Sequence, residues 1–349
     1  MTEEKEGISR RKIRHFDYFS RERATVGVTT LLEEVQLVPA PLSGVDHRAI
    51  STECSFLGHD FQLPLLVSSI TGGAPQTEAF NMALGSLCEK YQIPMALGSI
   101  RPMLEDEALK PSFGVKKASG APFVGANIGA VQACQYGSDT LNRALDDLAA
   151  DALFIHLNII QELAQPGGDR DFTPLSRELF ALIPRISRPV VMKETGCGIS
   201  GQLATRFAEA GAAAVEVAGA GGSSFLAVEM ERMEPSLRAA WEPFLSFGIP
   251  TAASISQCAG CGVPVIGSGG LRSGLDLARA LVLGAGLGGI AAPLVVAWHR
   301  GGYDAMGQLI ELFSTGLRTA MTLTGSRDLP ALAAVPRILG PGISAWLEK

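Results

Sequence analysis

A (β/α)8 barrel is the fold class that this sequence of 349 residues predicts, and three observations predict it. Eight short, almost continuously apolar runs alternate with longer stretches whose apolar residues recur at helical spacing. Strands that apolar are buried on both faces, as in a parallel sheet covered by helices. Seven of the runs lead straight into polar residues or glycines, as the catalytic face of a barrel requires. An open doubly wound sheet would place a GxGxxG turn after its first strand, and SSITGGAP lacks that spacing.

The predicted strands are LPLLVSSI (63–70), IPMALGS (93–99), PFVGANI (122–128), ALFIHLN (152–158), PVVMKET (189–195), AAVEVAG (213–219), VPVIGSGG (263–270) and GLGGIAAP (286–293). Segments such as QTEAFNMALGSLCEKY, DTLNRALDDLAA, GQLATRFAEAG and SGLDLARALVLG supply the helices between them. The late run GAGLGG (284–289) reads as a helix end entering a strand rather than as a nucleotide fingerprint. Residues 222–250 break the repeat with a long stretch rich in Met, Phe and Trp, placed where barrels carry covering loops. One domain, 1–349, is expected, with residues 1–20 a basic flexible segment that covers the site.

Composition narrows the function. Apolar residues make up 47% and charged residues 18%, enough for a large core, and the 40 glycines suit tight turns and close helix–strand contacts. A net charge of −6 argues against a nucleic-acid partner. The opening MTEEKEGISRRKIRHF has no apolar leader, and no run is long enough to span a membrane. A cytoplasmic protein with reduced thiols is the expectation. Cys258 and Cys261 form an isolated CxxC without the second ligand pair that zinc requires.

Three groups of residues carry chemistry. Gly269–Arg272 runs from a strand to a helix opening after Ser273, and with Ala291 and Ala292 it predicts a phosphate seat. Glycine amides can approach an anion closely there, and a helix N-terminus and Arg272 add positive charge. Lys193 ends an apolar strand, where a lysine needs an anion or an electron-rich acceptor; a Schiff-base lysine, or a structural pair with Glu194 or Glu229, is the alternative. In HLNIIQE (156–162), His156 and Asn158 share one side of a strand, followed at the mouth by Gln161 and by Glu162, an oxygen donor of the kind magnesium takes. The basic cluster from Arg10 to His15 is either a solvated tail or a clamp over the barrel mouth.

These motifs resemble those of the type 2 isopentenyl-diphosphate isomerases, FMN-dependent barrel enzymes. The resemblance runs from Arg11 to about Gly325, through RKxxH (11–15), SSxTGG (68–73), GSxR (98–101), ANxG (126–129), HLNxxQExxQPxGDRDF (156–172), KExGxGIS (193–200), GAGGSS (219–224) and SGGLRSGLDLARALxLGA (268–285). It implies that Ser69, Ile70, Thr71, Ser99, Asn127, Lys193, Ser223, Gly270, Leu271, Arg272, Ala291 and Ala292 hold FMN. Arg11, Lys12, Ser99, Arg101 and Gln161 would bind the substrate diphosphate and its hydrocarbon, and Glu162 would bind Mg2+. His156, Asn158, Gln161 and Glu229 would line the reacting centre, with the reduced flavin moving the proton. NADPH as reductant and a homo-oligomer of four or more chains are further implications.

Ile70, Ile100 and Phe225 stand where the family usually has Met, Gln and Trp, Gly167 replaces an acidic residue, and Ser223 replaces Thr. Ile100 and Phe225 are expected beside the substrate. A hydroxyacid-oxidase-like flavoenzyme is the alternative activity, weakened because Arg272 has no neighbouring histidine at the end of the seventh strand. A flavin-binding homologue without turnover is the non-catalytic alternative.

Overall fold

The computed structural model describes residues 16–19, 28–70, 72 and 75–348. Eight parallel strands close into one barrel in sequence order: β1 Leu65–Val67, β2 Met95–Ser99, β3 Val124–Gly129, β4 Ala152–Leu157, β5 Val190–Glu194, β6 Ala214–Glu216, β7 Val265–Ser268 and β8 Leu287–Ile290. All eight predicted strands form, trimmed by one to three residues at one or both ends, except that β3 runs one residue further, to Gly129. The helices that position the site are α1 Pro75–Tyr91, α2 Ala130–Leu148, α3 Ile159–Ala164, α4 Gly201–Glu209, α5 Phe225–Met230, α6 Thr251–Cys258, α7 Gly274–Val282 and α8 Ala292–Leu323.

Strand alternation sorts the core into two shells. Outward residues such as Val67, Leu97, Ile128, Ile155, Met192 and Val215 pack against the helices. Inward residues Leu66, Ala96, Phe154, Val191, Ala214, Ile266 and Leu287 form an apolar plug in the N-terminal half of the barrel. A hairpin of Cys54–Phe56 and His59–Phe61 stoppers that end, bringing Phe56 and Phe61 against Phe123 with ring centroids 6.1 and 6.2 Å apart. Strand Val35–Leu37 pairs antiparallel with Arg337–Leu339 and so ties the two chain extensions together.

After β6, the segment 222–250 folds as α5, a second short helix Pro235–Trp241 and a 3-10 turn Glu242–Ser246. Leu226 and Met230 pack with Ala164 of α3, and Ile160 and Trp241 close that small cluster. Cys258 and Cys261 are buried free thiols at the C-terminal end of α6. Burial pushes the Cys258 thiol up to about 12, and it donates to the Ile199 carbonyl at 3.3 Å, so it acts as packing rather than as a nucleophile.

Candidate active site

Two residues beyond the apolar plug, the same inward rows turn polar. Leu66 gives way to Ser68, Gly125 to Asn127, Phe154 to His156, Val191 to Lys193, Ala214 to Glu216 and Ile266 to Ser268. Strand period alone stacks them, since residues i and i+2 share a face. They floor an open cavity of about 1340 Å3 at the C-terminal face of the barrel.

The floor is charged and tightly bonded. Lys193 Nζ donates to Glu216 Oε1 at 2.7 Å, and that oxygen also accepts from the Ser68 and Ser268 hydroxyls at 2.7 and 2.9 Å. Glu216 is fully buried and Lys193 is 7% exposed. A Cβ at Gly289 would lie 2.5 Å from Ser68 Oγ, so only glycine leaves room for this cluster. Glu216 was not among the residues singled out from the sequence; the signal was an acidic residue inside the apolar run AAVEVAG.

One wall suits a phosphate. Gly269 and Gly270 have φ of +99° and +91°, a left-handed backbone, and a Cβ on either would strike Gly219 or Thr30 within 2.5 Å. Arg272 lines this wall, exposed to the cavity, and partial desolvation against the pull of Asp276 draws its guanidinium below the usual arginine value. Ser273 closes the start of α7 by accepting from Asp276 N at 3.2 Å. The start of α8, by contrast, has no side-chain cap, and Ala291, Ala292 and Pro293 line the cavity there. The helix N-terminus open to an anion is therefore that of α8 rather than α7.

The opposite wall comes from β4 and α3. His156 Nδ1 donates to Asn127 Oδ1 at 2.8 Å. Asn158 donates to Glu162 Oε1 at 2.8 Å, and the Asp169 amide to Glu162 Oε2 at 3.0 Å, which fixes the carboxylate at the mouth. Arg170 clasps the carbonyls of Glu162, Gln165 and Gly168, closing the loop behind it. Gln161 is buried and faces the cavity. Arg101 enters from β2: burial disfavours its charge, but Glu105 at 2.6 Å more than restores it. Glu194 turns away behind β5 and accepts from the amides of Thr195, Gly196 and Cys197 at 2.5–2.6 Å, shaping the loop that carries Thr195 and Gly196 into the lining. Burial pushes its carboxyl up to about 7 against the pull of those amides.

Ser69, Ile70, Ser99, Arg101, Asn127, His156, Asn158, Gln161, Glu162, Lys193, Ser223, Gly270, Leu271, Arg272, Ala291 and Ala292 thus border one cavity. Glu229 does not: it is buried on α5 behind the lining. Ile100 departs from expectation, because its side chain is fully buried in the outer core, whereas Phe225 does reach the cavity. Gly167 sits in an exposed loop at φ +71°, a conformation that suits glycine better than an acidic residue. Arg11, Lys12 and Thr71 lie outside the described residues, as does most of the segment 1–20.

A cofactor is tested by what the floor leaves unpaired. Ser69 Oγ, Asn127 Nδ2 and Glu216 Oε2 are buried without a hydrogen-bond partner among the described residues, all three on cavity-lining side chains. A flat heteroaromatic ring with amide-like edges would satisfy such atoms. Magnesium fares differently, since no cluster of three or more His, Cys, Asp or Glu side chains able to hold a metal occurs among the described residues.

The chain is 39% identical to an isopentenyl-diphosphate delta-isomerase of Archaeoglobus fulgidus, over 97% of this chain and 98% of the relative. The chain belongs to that isomerase family. The isopentenyl-diphosphate delta-isomerase of Methanothrix thermoacetophila is 36% identical over 97% of this chain and 96% of its own. Residues 174–335 match the FMN-dependent dehydrogenase family model. A mandelate oxidase structure with (S)-2-phenylpropionate superposes with a TM-score of 0.67 over 96% of this chain and 98% of its own; at 22% identity the likeness is one of fold.

Proposed function

We propose that this isomerase-family chain interconverts isopentenyl and dimethylallyl diphosphate with FMN and Mg2+, as a step of isoprenoid synthesis. The observation that carries the proposal is the meeting, in one cavity, of a polar floor with three atoms unpaired among the described residues, a glycine–arginine phosphate wall and the HLNIIQE wall. Relatives named for this reaction over nearly their full length support the same reading.

Arg272, the Gly270 and Leu271 backbone and the uncapped start of α8 at Ala291 and Ala292 would hold the FMN phosphate. Ser69, Ile70, Thr71, Ser99, Asn127, Lys193 and Ser223 would hold the ring. Bound and reduced, FMN supplies the acid–base chemistry of an allylic double-bond shift. Arg101, with two guanidinium nitrogens unpaired among the described residues, would join Arg11 and Lys12 on the diphosphate. Glu162 would offer one oxygen to Mg2+ arriving with that diphosphate, an arrangement magnesium commonly takes. Gln161 would face the double bond, with His156 and Asn158 completing the wall. His156 is held in place through its Nδ1–H, which donates to Asn127 Oδ1.

NADPH as the reductant, a homo-oligomer of four or more chains and a cytoplasmic site of action belong to the same proposal. No described helix is long and apolar enough to cross a membrane. The test is direct: purified protein with FMN, Mg2+ and excess reductant under anaerobic conditions should convert isopentenyl diphosphate to dimethylallyl diphosphate. No conversion, or conversion of a 2-hydroxy acid instead, would overturn it.

A further inference from the structure

The Lys193–Glu216 pair is the most enclosed pair of opposite charges among the described residues, with side chains 9% and 0% exposed and a 2.7 Å separation. Apolar packing would serve a purely structural barrel floor at least as well, because two buried charges lose more hydration than their attraction returns unless every lone pair is used. Here one lone-pair set is not used. Glu216 Oε1 takes three donors, from Ser68, Lys193 and Ser268, while Oε2 has no partner among the described residues. Three strands therefore converge to hold one carboxylate at the cavity floor with an unsatisfied edge.

We propose that Glu216 is a positioning residue: it holds Lys193 and cancels most of its charge, and so sets how strongly the floor favours a negatively charged cofactor ring. This rests on the FMN reading above. Reduced flavin carries a proton-or-charge choice at N1, and charge placed near that end of the ring is how a protein tunes it. Lys193 alone would add a full positive charge to a poorly hydrated floor and favour the anion. Paired with Glu216, it keeps its donors and its fixed place while adding little net charge. The other titratable side chain facing this floor is His156 on β4, opposite Lys193 in the strand register. Glu194 also flanks Lys193 but points out of the barrel to its own loop amides.

The test uses the full-length protein loaded with FMN, reduced anaerobically with dithionite and followed by absorbance from pH 5 to 9. Glu216→Gln keeps the shape but removes the charge, and should lower the N1 ionisation of bound reduced flavin by about one pH unit, a tenfold preference for the anion. Glu216→Asp should move it back toward the wild-type value. Lys193→Met leaves the carboxylate intact and should shift the ionisation upward. It supplies a second arm if Glu216→Gln fails to hold FMN. An unchanged ionisation in Glu216→Gln, or an unchanged or lowered one in Lys193→Met, overturns the proposal while leaving the FMN reading intact. A wild-type protein that binds no FMN overturns both.

Discussion

The two halves of the barrel interior are built from the same rows of residues and do opposite work. Below, Leu66, Phe154, Val191, Ala214, Ile266 and Leu287 fill the space with carbon, and the Phe56–Phe61 hairpin seals it. Above, Ser68, Asn127, His156, Lys193, Glu216 and Ser268 crowd polar atoms together, and Ser69 Oγ, Asn127 Nδ2 and Glu216 Oε2 there have no partner among the described residues. One step of strand period separates the layers. The lower layer therefore holds the fold together, and the upper layer gives up stability for binding; substitutions in each should fail in different assays.

The largest effect belongs to the lower layer. Phe154→Ala empties a fully buried site and should cost about 3–5 kcal/mol in denaturant unfolding. A loss under 1 kcal/mol would mean that the plug is not the structural half. At the rim, Glu194 offers a pH test. Its carboxyl is held near 7 by burial, against an ordinary 4.5, so the folded protein binds more protons than the unfolded chain across that window. Its contribution should thus fall as pH rises from 4.5 to 7 and level off above, by a span on the order of 3 kcal/mol. Unfolding free energies of the wild type and Glu194→Gln, compared at pH 5, 6, 7 and 8, should converge or cross in that direction; parallel curves would contradict it.

The upper layer should respond the other way round. Arg272→Ala should weaken FMN binding about thirtyfold, roughly 2 kcal/mol, while leaving the apoprotein about as stable, because the side chain is exposed at the cavity and makes one hydrogen bond among the described residues, to its neighbour's carbonyl. Titration of FMN alongside denaturant unfolding of the apoprotein separates the two. The smallest effect lies at the mouth. Phe225 meets Phe19 edge to face, with centroids 5.3 Å apart, joining the N-terminal helical turn to α5. Phe225→Ala should raise the KM for isopentenyl diphosphate about three- to tenfold, the worth of one aromatic contact, with FMN affinity unchanged. A loss of FMN instead would place Phe225 on the cofactor.

Much of this division was legible in the sequence because parallel strands buried on both faces leave a signal that needs no partner information. Each apolar run became a strand, and most of the polar residues at the run ends met in one cavity, Glu194 turning away to its loop amides. Other features depend on contacts between distant segments. Nothing local marks the Cys54–Phe61 hairpin as a barrel stopper, or shows that Val35–Leu37 pairs with Arg337–Leu339. Ile100 follows a strand end as a site residue would, yet the turn into Arg101–Glu105 rotates it into the core. Glu229 follows Ser223 by six residues but lies on the hidden side of α5. Glu216 shows the reverse: one acidic residue in an apolar run gains meaning only when Lys193, Ser68 and Ser268 arrive from three other strands.

The central claim, that the upper layer is a flavin seat, is tested most directly by adding FMN to the protein while following both the flavin spectrum and unfolding. A saturable one-to-one yellow complex is expected, with stability rising by about 1.4 kcal/mol for each tenfold increase in free FMN above its dissociation constant. Protein that stays colourless, or whose unfolding ignores FMN, would contradict the account.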